Sequence, residues 1–342
     1  MKLEDFDFEL PEELIAQHPV EKRDESRLLV LHKNTGVIEH KHFYDIVDYL
    51  HKGDVLVRNN SKVIPARLYG EKVDTGAKVE VLILKINEGA ICECLCGNAK
   101  VIKVGTVIKF SDKLKGECLE IKDEGIRIIK MIYEGVFLEI LEKIGLMPTP
   151  PYIHELLKDN NRYQNVYAEP LGSAACPTAG LHFTSELIDK IKEKGVEILD
   201  VTLHVGLGTF KPVKESNIED HNMHSETYFM NKEVAERLNL AKKEGRRIIA
   251  VGTTSTRTLE TVMQKYNEFT ECSGDTNIFI YPPYDFKAID CQITNFHLPK
   301  STLIMMISAL CTREMILDAY KEAVDQKYRF FSFGDSMFIT NE

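Results

Sequence analysis

The 342-residue chain is short of several things, and each shortage excludes a class. Eight cysteines occur without one CxxC pair, which removes the usual zinc and dithiol patterns. There is no excess of basic charge. The net charge is −10 and the sequence pI about 5.7, so the chain does not hold nucleic acid by bulk charge, although a local basic groove stays open. The longest mostly apolar run, 303–310, is far too short to cross a bilayer, and the first residues lack the apolar core of a secretory signal. The expected compartment is therefore the cytosol, with reduced thiols. No internal repeat and no low-complexity segment occurs. A GxG at Gly206 and Gly208 is not followed by a third glycine, since position 211 is Lys, so the dinucleotide fingerprint fails. VGTTSTRTLE at 251–260 lacks GK[ST], so it is no nucleotide-triphosphate loop.

What remains is an ordinary globular composition, 44% hydrophobic and 28% charged, ample for one large or two smaller domains. Residues 68–142 carry short β-rich runs punctuated by Glu88-Gly89, Cys96-Gly97, Lys115-Gly116 and Glu124-Gly125. That spacing predicts a small barrel or sandwich. Cys92, Cys94 and Cys96 alternate, so they share one strand face, which argues against a metal cage. The proline cluster at 148–151 forbids continued helix or ladder and marks a return linker. On either side the pattern is helix, glycine, strand. Helices are expected at 11–17, 43–50, 186–194, 232–244, 256–265, 301–310 and 313–320, with strands at 27–31, 54–58, 196–204 and 247–251. The predicted organisation is an α/β body with a mixed sheet and covering helices, from 1–67 and 143–342, with 68–142 inserted as a β-barrel-like domain.

The chemistry-bearing stretches lie in the α/β part. YAEPLGSAACPTAGLHFT at 167–184 is a small-residue loop feeding a helix whose cap is Thr184 or Ser185. Small residues admit close approach of a ligand, Gly180 can take positive φ, and a helix amino terminus suits an anion. Ser173, Thr178, Gly180 and His182 are candidate contacts there. Asn59, in the polar NNSK after a buried strand, sits where open α/β sheets place ligands. Gly206 and Gly208 follow another strand beside His204. EDHNMHSETYFM at 219–230 carries His221, His224 and Glu226, as acid–base groups, metal ligands or a solvated loop. Thr253 and Thr254 offer hydroxyls at a second helix start, where Arg257 can hold a carboxylate or phosphate. Asn295, His297 and Lys300 cluster before an apolar helix.

NNSKVIPARLYG, GSAACPTAGLHFT, LHVGLGTFKPV, MHSE, VGTTSTRTLE, FIYPPYDFK, TNFHLPKSTL and YRFFSFGDSMFI, in that order, resemble the S-adenosylmethionine:tRNA ribosyltransferase-isomerases of queuosine biosynthesis. The likeness spans nearly the whole chain. It departs at Cys176, at Pro283 and at Cys311-Thr312, where the family has smaller residues or Gly; none removes a polar group assigned to chemistry. The resemblance implies a ribosyl transfer from S-adenosylmethionine, a consumed co-substrate, to the aminomethyl group of 7-aminomethyl-7-deazaguanine at the tRNA wobble position. Epoxyqueuosine forms, and adenine and methionine leave. It implies no tightly bound cofactor, no metal and a monomer. His182, His204, Glu226 and His297 are then the candidates for the proton transfer, His182 first because its motif is densest. Asn59, Arg67, Ser173, Thr178, Gly180, Gly206, Gly208, Thr253, Thr254, Arg257, Asn295 and Lys300 are expected to bind substrate. Arg58, Lys62, Arg67, Lys211, Lys214, Arg313 and Arg329 are candidate tRNA contacts. A conventional methyltransferase and a non-catalytic tRNA-binding module are the alternatives.

Overall fold

The structure, a computed structural model, describes residues 1–123, 125–150, 152–155, 157, 159–206, 213 and 215–342. β1 (Arg27–His32) and β2 (Val37–His42) form a hairpin around Gly36, and α1 (Ile46–Tyr49) leads to β3 (Val55–Asn59) and the short β4 (Lys62–Val63). Six strands follow: β5 (Arg67–Lys72), β6 (Lys78–Asn87), β7 (Ile91–Gly97), β8 (Val107–Ser111), β9 (Leu114–Ile121) and β10 (Ile126–Tyr133). The chain returns through α2 (Phe137–Ile144), β11 (Leu171–Ser173), α3 (Ser185–Glu193), β12 (Glu197–His204), β13 (Glu226–Met230) and α4 (Lys232–Glu244). It closes with β14 (Ile248–Val251), α5 (Gly252–Tyr266), β15 (Cys272–Thr276), β16 (Cys291–Asn295), α6 (Thr302–Leu310), α7 (Arg313–Asp325) and β17 (Ser336–Thr340).

Nine strands make one mixed sheet in the order β15-β13-β12-β3-β14-β16-β17-β1-β2. The centre, β12-β3-β14-β16, is parallel. β3, β14 and β16 are buried at every residue, as parallel strands covered on both faces must be. One face packs a large core under α4, α5, α6 and α7, and the other packs Phe43, Phe183, Leu187 and Ile191. β5 to β10 close on themselves as an antiparallel barrel in the order β10-β7-β6-β5-β8-β9. Its own core holds Cys92, Cys94, Cys96 and Cys118, all buried, so the alternation does put the three neighbours on the interior face. The fold class is the expected one, a mixed α/β sheet with covering helices plus a small barrel.

Local expectations differ in instructive places. The helix expected at 11–17 is a single 3-10 turn, Glu12–Leu14, because Ile15 instead bridges to Phe330 beside the sheet. The helix expected from 256 begins at Gly252, whose φ of +84° turns the chain straight out of β14. The run from Thr253 to Ser255 is thus a first helical turn and not a loop, with the Ser255 hydroxyl donating back to the Val251 carbonyl at 2.8 Å. α3 is capped as read, Thr184 Oγ1 accepting from Leu187 N at 3.1 Å. β13, β15, β16 and β17 had no sequence signal strong enough to be read as strands. β16 and β17 are short and buried throughout, so no alternation marks them.

Candidate functional site

The parallel centre of the sheet points the carboxyl ends of β3, β12, β14 and β16 the same way, and the crevice outside such ends is where open α/β sheets bind ligands. Each end carries one quoted motif: Asn59 to Ser61, His204 to Gly206, Gly252 to Thr254, and Asn295 to His297. The loop 172–179 runs across them. Ser173 Oγ accepts from Val205 N at 2.9 Å and donates to the Ala175 carbonyl at 2.7 Å, while Ala174 N reaches the Val205 carbonyl at 3.0 Å. These bonds lace the loop to the end of β12 and leave a cavity on either side.

The smaller cavity has a volume of about 470 Å³ and collects residues 175–179, Gly252, Thr253, Thr254, residues 294–303, Phe331 and Ser332. Among the described residues no side chain caps the amino terminus of α5, which opens into it, and Thr254 Oγ1 is buried there without a partner. Those amides and that hydroxyl suit an anionic or carboxylate-bearing ligand. Tyr152 and Phe331 stack at 4.6 Å between centroids along one wall, a flat apolar surface. His297 also lines it. Its Nε2 sits 2.7 Å from Thr294 Oγ1, and burial pushes its pKa down to about 3. Lys300 lies at the mouth, paired with Glu4 at 2.8 Å and Asp7 at 3.0 Å.

The larger cavity, about 820 Å³, lies between barrel and sheet. The barrel side contributes Ile83, Leu84, Lys85, Ile86, Glu93 and Ile126, with Phe137 and Leu138 from α2. The sheet side contributes residues 171–174, His204, Gly206, residues 224–227 and Asp275. His204 Nδ1 sits 2.7 Å from Ser61 Oγ, and burial lowers its pKa. Gly172 is required by close approach: a Cβ there would meet the His204 ring at 2.6 Å. Glu226 accepts from Gly206 N at 2.8 Å and is ion-paired with Arg257.

The expected contacts therefore divide. Thr178, Thr253, Thr254, Asn295, His297 and Lys300 share the smaller cavity, whereas Ser173, Gly206, His204 and Glu226 share the larger. Others lie in neither. His182, first in order from the sequence, is buried against Phe43 at 5.0 Å between centroids, with Nδ1 2.7 Å from Ser26 Oγ. Burial holds its pKa near 4, and it borders only a 20 Å³ hole with Arg23 and Arg162. Gly180 does not use positive φ; it is needed because a Cβ would lie 2.1 Å from Tyr167 Oη and 2.5 Å from Asn165 Nδ2. Asn59 is fully engaged in holding the strand ends, donating to the Leu203 carbonyl at 2.9 Å and accepting from Leu203 N at 3.0 Å. Arg67 pairs with Glu80 at 3.4 Å and donates to the Thr149 carbonyl. Arg257 holds a carboxylate, but it is the protein's own Glu226. Gly208, Lys211 and Lys214 lie outside the described residues.

The candidate tRNA cations are also largely committed. Arg58 is bidentate to Asp200 at 2.5 and 3.1 Å and lies over the Tyr167 ring, Arg313 pairs with Glu314, and Arg329 donates to the His18 carbonyl. Sequence reasoning missed Ser61, Tyr152, Phe331 and the whole barrel wall. Ser61 stood in a quoted motif; the barrel residues carried no chemical signal. Among the described residues no cluster of three His, Cys, Asp or Glu is arranged to hold a metal ion, and no helix is long and apolar enough to cross a membrane.

Residues 3–339 match the family described as Queuosine biosynthesis protein. The chain is also similar to the crystal structure of S-adenosylmethionine tRNA ribosyltransferase from Thermotoga maritima, at 41% identity and a TM-score of 0.57, over 98% of this chain and 99% of that one. With a family match running from residue 3 to residue 339 over a sheet whose strand ends carry the shared motifs, the chain belongs to the queuosine biosynthesis protein family.

Proposed function

We propose that the protein transfers and isomerises the ribosyl group of S-adenosylmethionine onto the aminomethyl group of 7-aminomethyl-7-deazaguanine in the tRNA wobble position, releasing adenine and methionine. The observation that carries this reading is the pair of cavities flanking one wall, residues 173–175 laced to Val205. A two-substrate transfer needs two such sites set against each other. The smaller one suits the donor: an uncapped helix end for the methionyl carboxylate and a stacked aromatic wall for adenine. The larger, open between barrel and sheet, suits a nucleotide swung out of an RNA loop.

The sulfonium acidifies the neighbouring C5′–H, so one aligned base of ordinary strength suffices. Of the four acid–base candidates, His297 alone lines the donor cavity; burial holds it neutral but makes it a weaker base than a free imidazole, so what it supplies is alignment on the acidified C5′–H rather than base strength. We assign it that role, with Glu226 and Arg257 fixing the chain around Gly206. No metal or resident cofactor takes part in this scheme. One chain lines both cavities, which fits action as a monomer. The separate cores support two domains, 68–142 and 1–67 with 143–342.

The test is product analysis with a stem-loop carrying the modified base. Adenine and methionine are expected, and only when that base is present. S-adenosylhomocysteine in their place would mean methyl transfer, and binding without either product would mean a non-catalytic module.

A further inference from the structure

We propose that Ser61 is a positioning residue that holds His204 as its Nε2–H tautomer, so that the imidazole donates a hydrogen bond into the larger cavity, to an acceptor atom on the edge of the nucleobase bound there. The identity of that occupant rests on the proposed function; the tautomer does not.

Ser61 lies two residues past the end of the central strand β3 and is fully buried. Its N–H donates to Asn59 Oδ1 at 3.1 Å, and the same Asn59 side chain bonds both the N–H and the carbonyl of Leu203. This clamp fixes the end of β3 against the end of β12. It sets Ser61 Oγ at 2.7 Å from His204 Nδ1. Among the described residues the Ser61 hydroxyl has no other acceptor, so its proton goes to Nδ1. The reverse arrangement would leave a buried hydroxyl proton without a partner, which is costly. Nδ1 is thus the acceptor and Nε2 carries the hydrogen.

The ring is held as firmly as its proton. Phe229 meets it edge-on at 5.8 Å, and Gly172 leaves just the room it needs. Nε2 has no protein partner among the described residues, and His204 lines the larger cavity. Burial keeps the imidazole neutral at neutral pH, so a single state is presented. A fixed donor selects a base edge with a carbonyl or ring-nitrogen acceptor in that place and disfavours one with a donor there.

The tautomer is read in the ligand-free protein by long-range ¹H–¹⁵N correlation of the imidazole. The expected spectrum shows Nε2 protonated and Nδ1 bare in the wild type, a mixed tautomer in Ser61→Ala, and recovery in Ser61→Thr. A protonated Nδ1 in the wild type overturns the proposal. In turnover with the modified stem-loop, Ser61→Ala should raise KM for RNA about tenfold with kcat within about twofold, as the loss of one oriented hydrogen bond predicts. Ser61→Thr should restore it. If Ser61→Ala fails to fold, His204→Gln and His204→Leu replace it. The Gln amide keeps an N–H donor, so its KM should stay well below that of Leu, and equal values overturn the proposal. A wild type that turns over no such RNA refutes the function and the occupant, while the spectrum still judges the tautomer.

Discussion

The barrel and the α/β body solve burial with different residues. All eleven histidines lie outside 68–142, while four of the eight cysteines lie within it. Among the described residues the barrel buries Arg127 and the body buries Arg58 and, most deeply, Arg257; Arg127 and Arg257 are held differently. Arg127 in the barrel donates to the carbonyls of Ala99, Ile102 and Ile126. Arg257 in the body pairs with the Glu226 carboxylate beside a cavity. The barrel is thus stabilised by neutral acceptors and apolar packing, and its part in the site is a wall. The body also buries histidines and ion-paired acids, among them Glu226 and His297 at the strand ends where the cavities are.

The sharpest break in this comparison concerns catalysis. His297→Ala should lower kcat about 10²–10⁴-fold with little change in donor binding, as loss of a general base does. A change of like size from removing any barrel side chain would show that the division is wrong. Single-turnover adenine release measures both.

Next come the two arginines. Arg257→Ala breaks its buried ion pair with Glu226, so about 3–5 kcal/mol of stability should be lost. Arg127→Ala leaves only neutral carbonyls unmade, for about 1–3 kcal/mol. Urea unfolding of both variants gives the order, and the reverse order would deny that the body carries the costlier burial. The sequence alone had suggested a weaker grip on substrate for Arg257→Ala; with Glu226 as its partner, destabilisation is the expected result.

Acid separates the regions further. His182 and His297 titrate near 4 and 3 in the folded body, against about 6.5 when unfolded. Below pH 6.5 the unfolded chain binds protons that the folded one refuses, so stability is present above that pH and falls as pH falls toward the folded values. Between pH 6.5 and 5 each should contribute a loss of about 1.6 kcal/mol. The barrel has no histidine and should show no such slope. Hydrogen exchange resolved by region at the two pH values checks it, and His182→Gln should flatten the body's slope by its share.

The smallest effect is at the thiols. Burial pushes Cys92 and Cys96 up to about 12 and Cys94 well above the usual thiol value, so none is a thiolate at neutral pH. Native alkylation should mark Cys272, the half-exposed one in β15, well before any barrel thiol. Early labelling of Cys94 would mean that the barrel opens.

Much of this was legible beforehand. The barrel could be read from turn glycines and period-two runs, and α4 from its Asn231 cap and Gly245 stop. The strand-end motifs of the two cavities could be read, because polar residues after buried strands are conspicuous. Their roles were not. His182 stood in the densest stretch, yet it faces Ser26 and Phe43, partners 156 and 139 positions away in sequence. Thr253 and Thr254 looked like a loop because nothing local signals that Gly252 starts a helix at once.

By itself the sequence determined most element types, the barrel strands and which stretches carry polar groups, since periodicity, caps and turn residues act within a few positions. The tertiary structure alone decided which of those groups face a cavity and which face each other. Asn59 was spent on Leu203, Arg257 on Glu226, and His204 was turned to Ser61. Each of these pairs joins strands or helices distant in the chain, and a side chain's partner is set by sheet order and register, which no local pattern encodes.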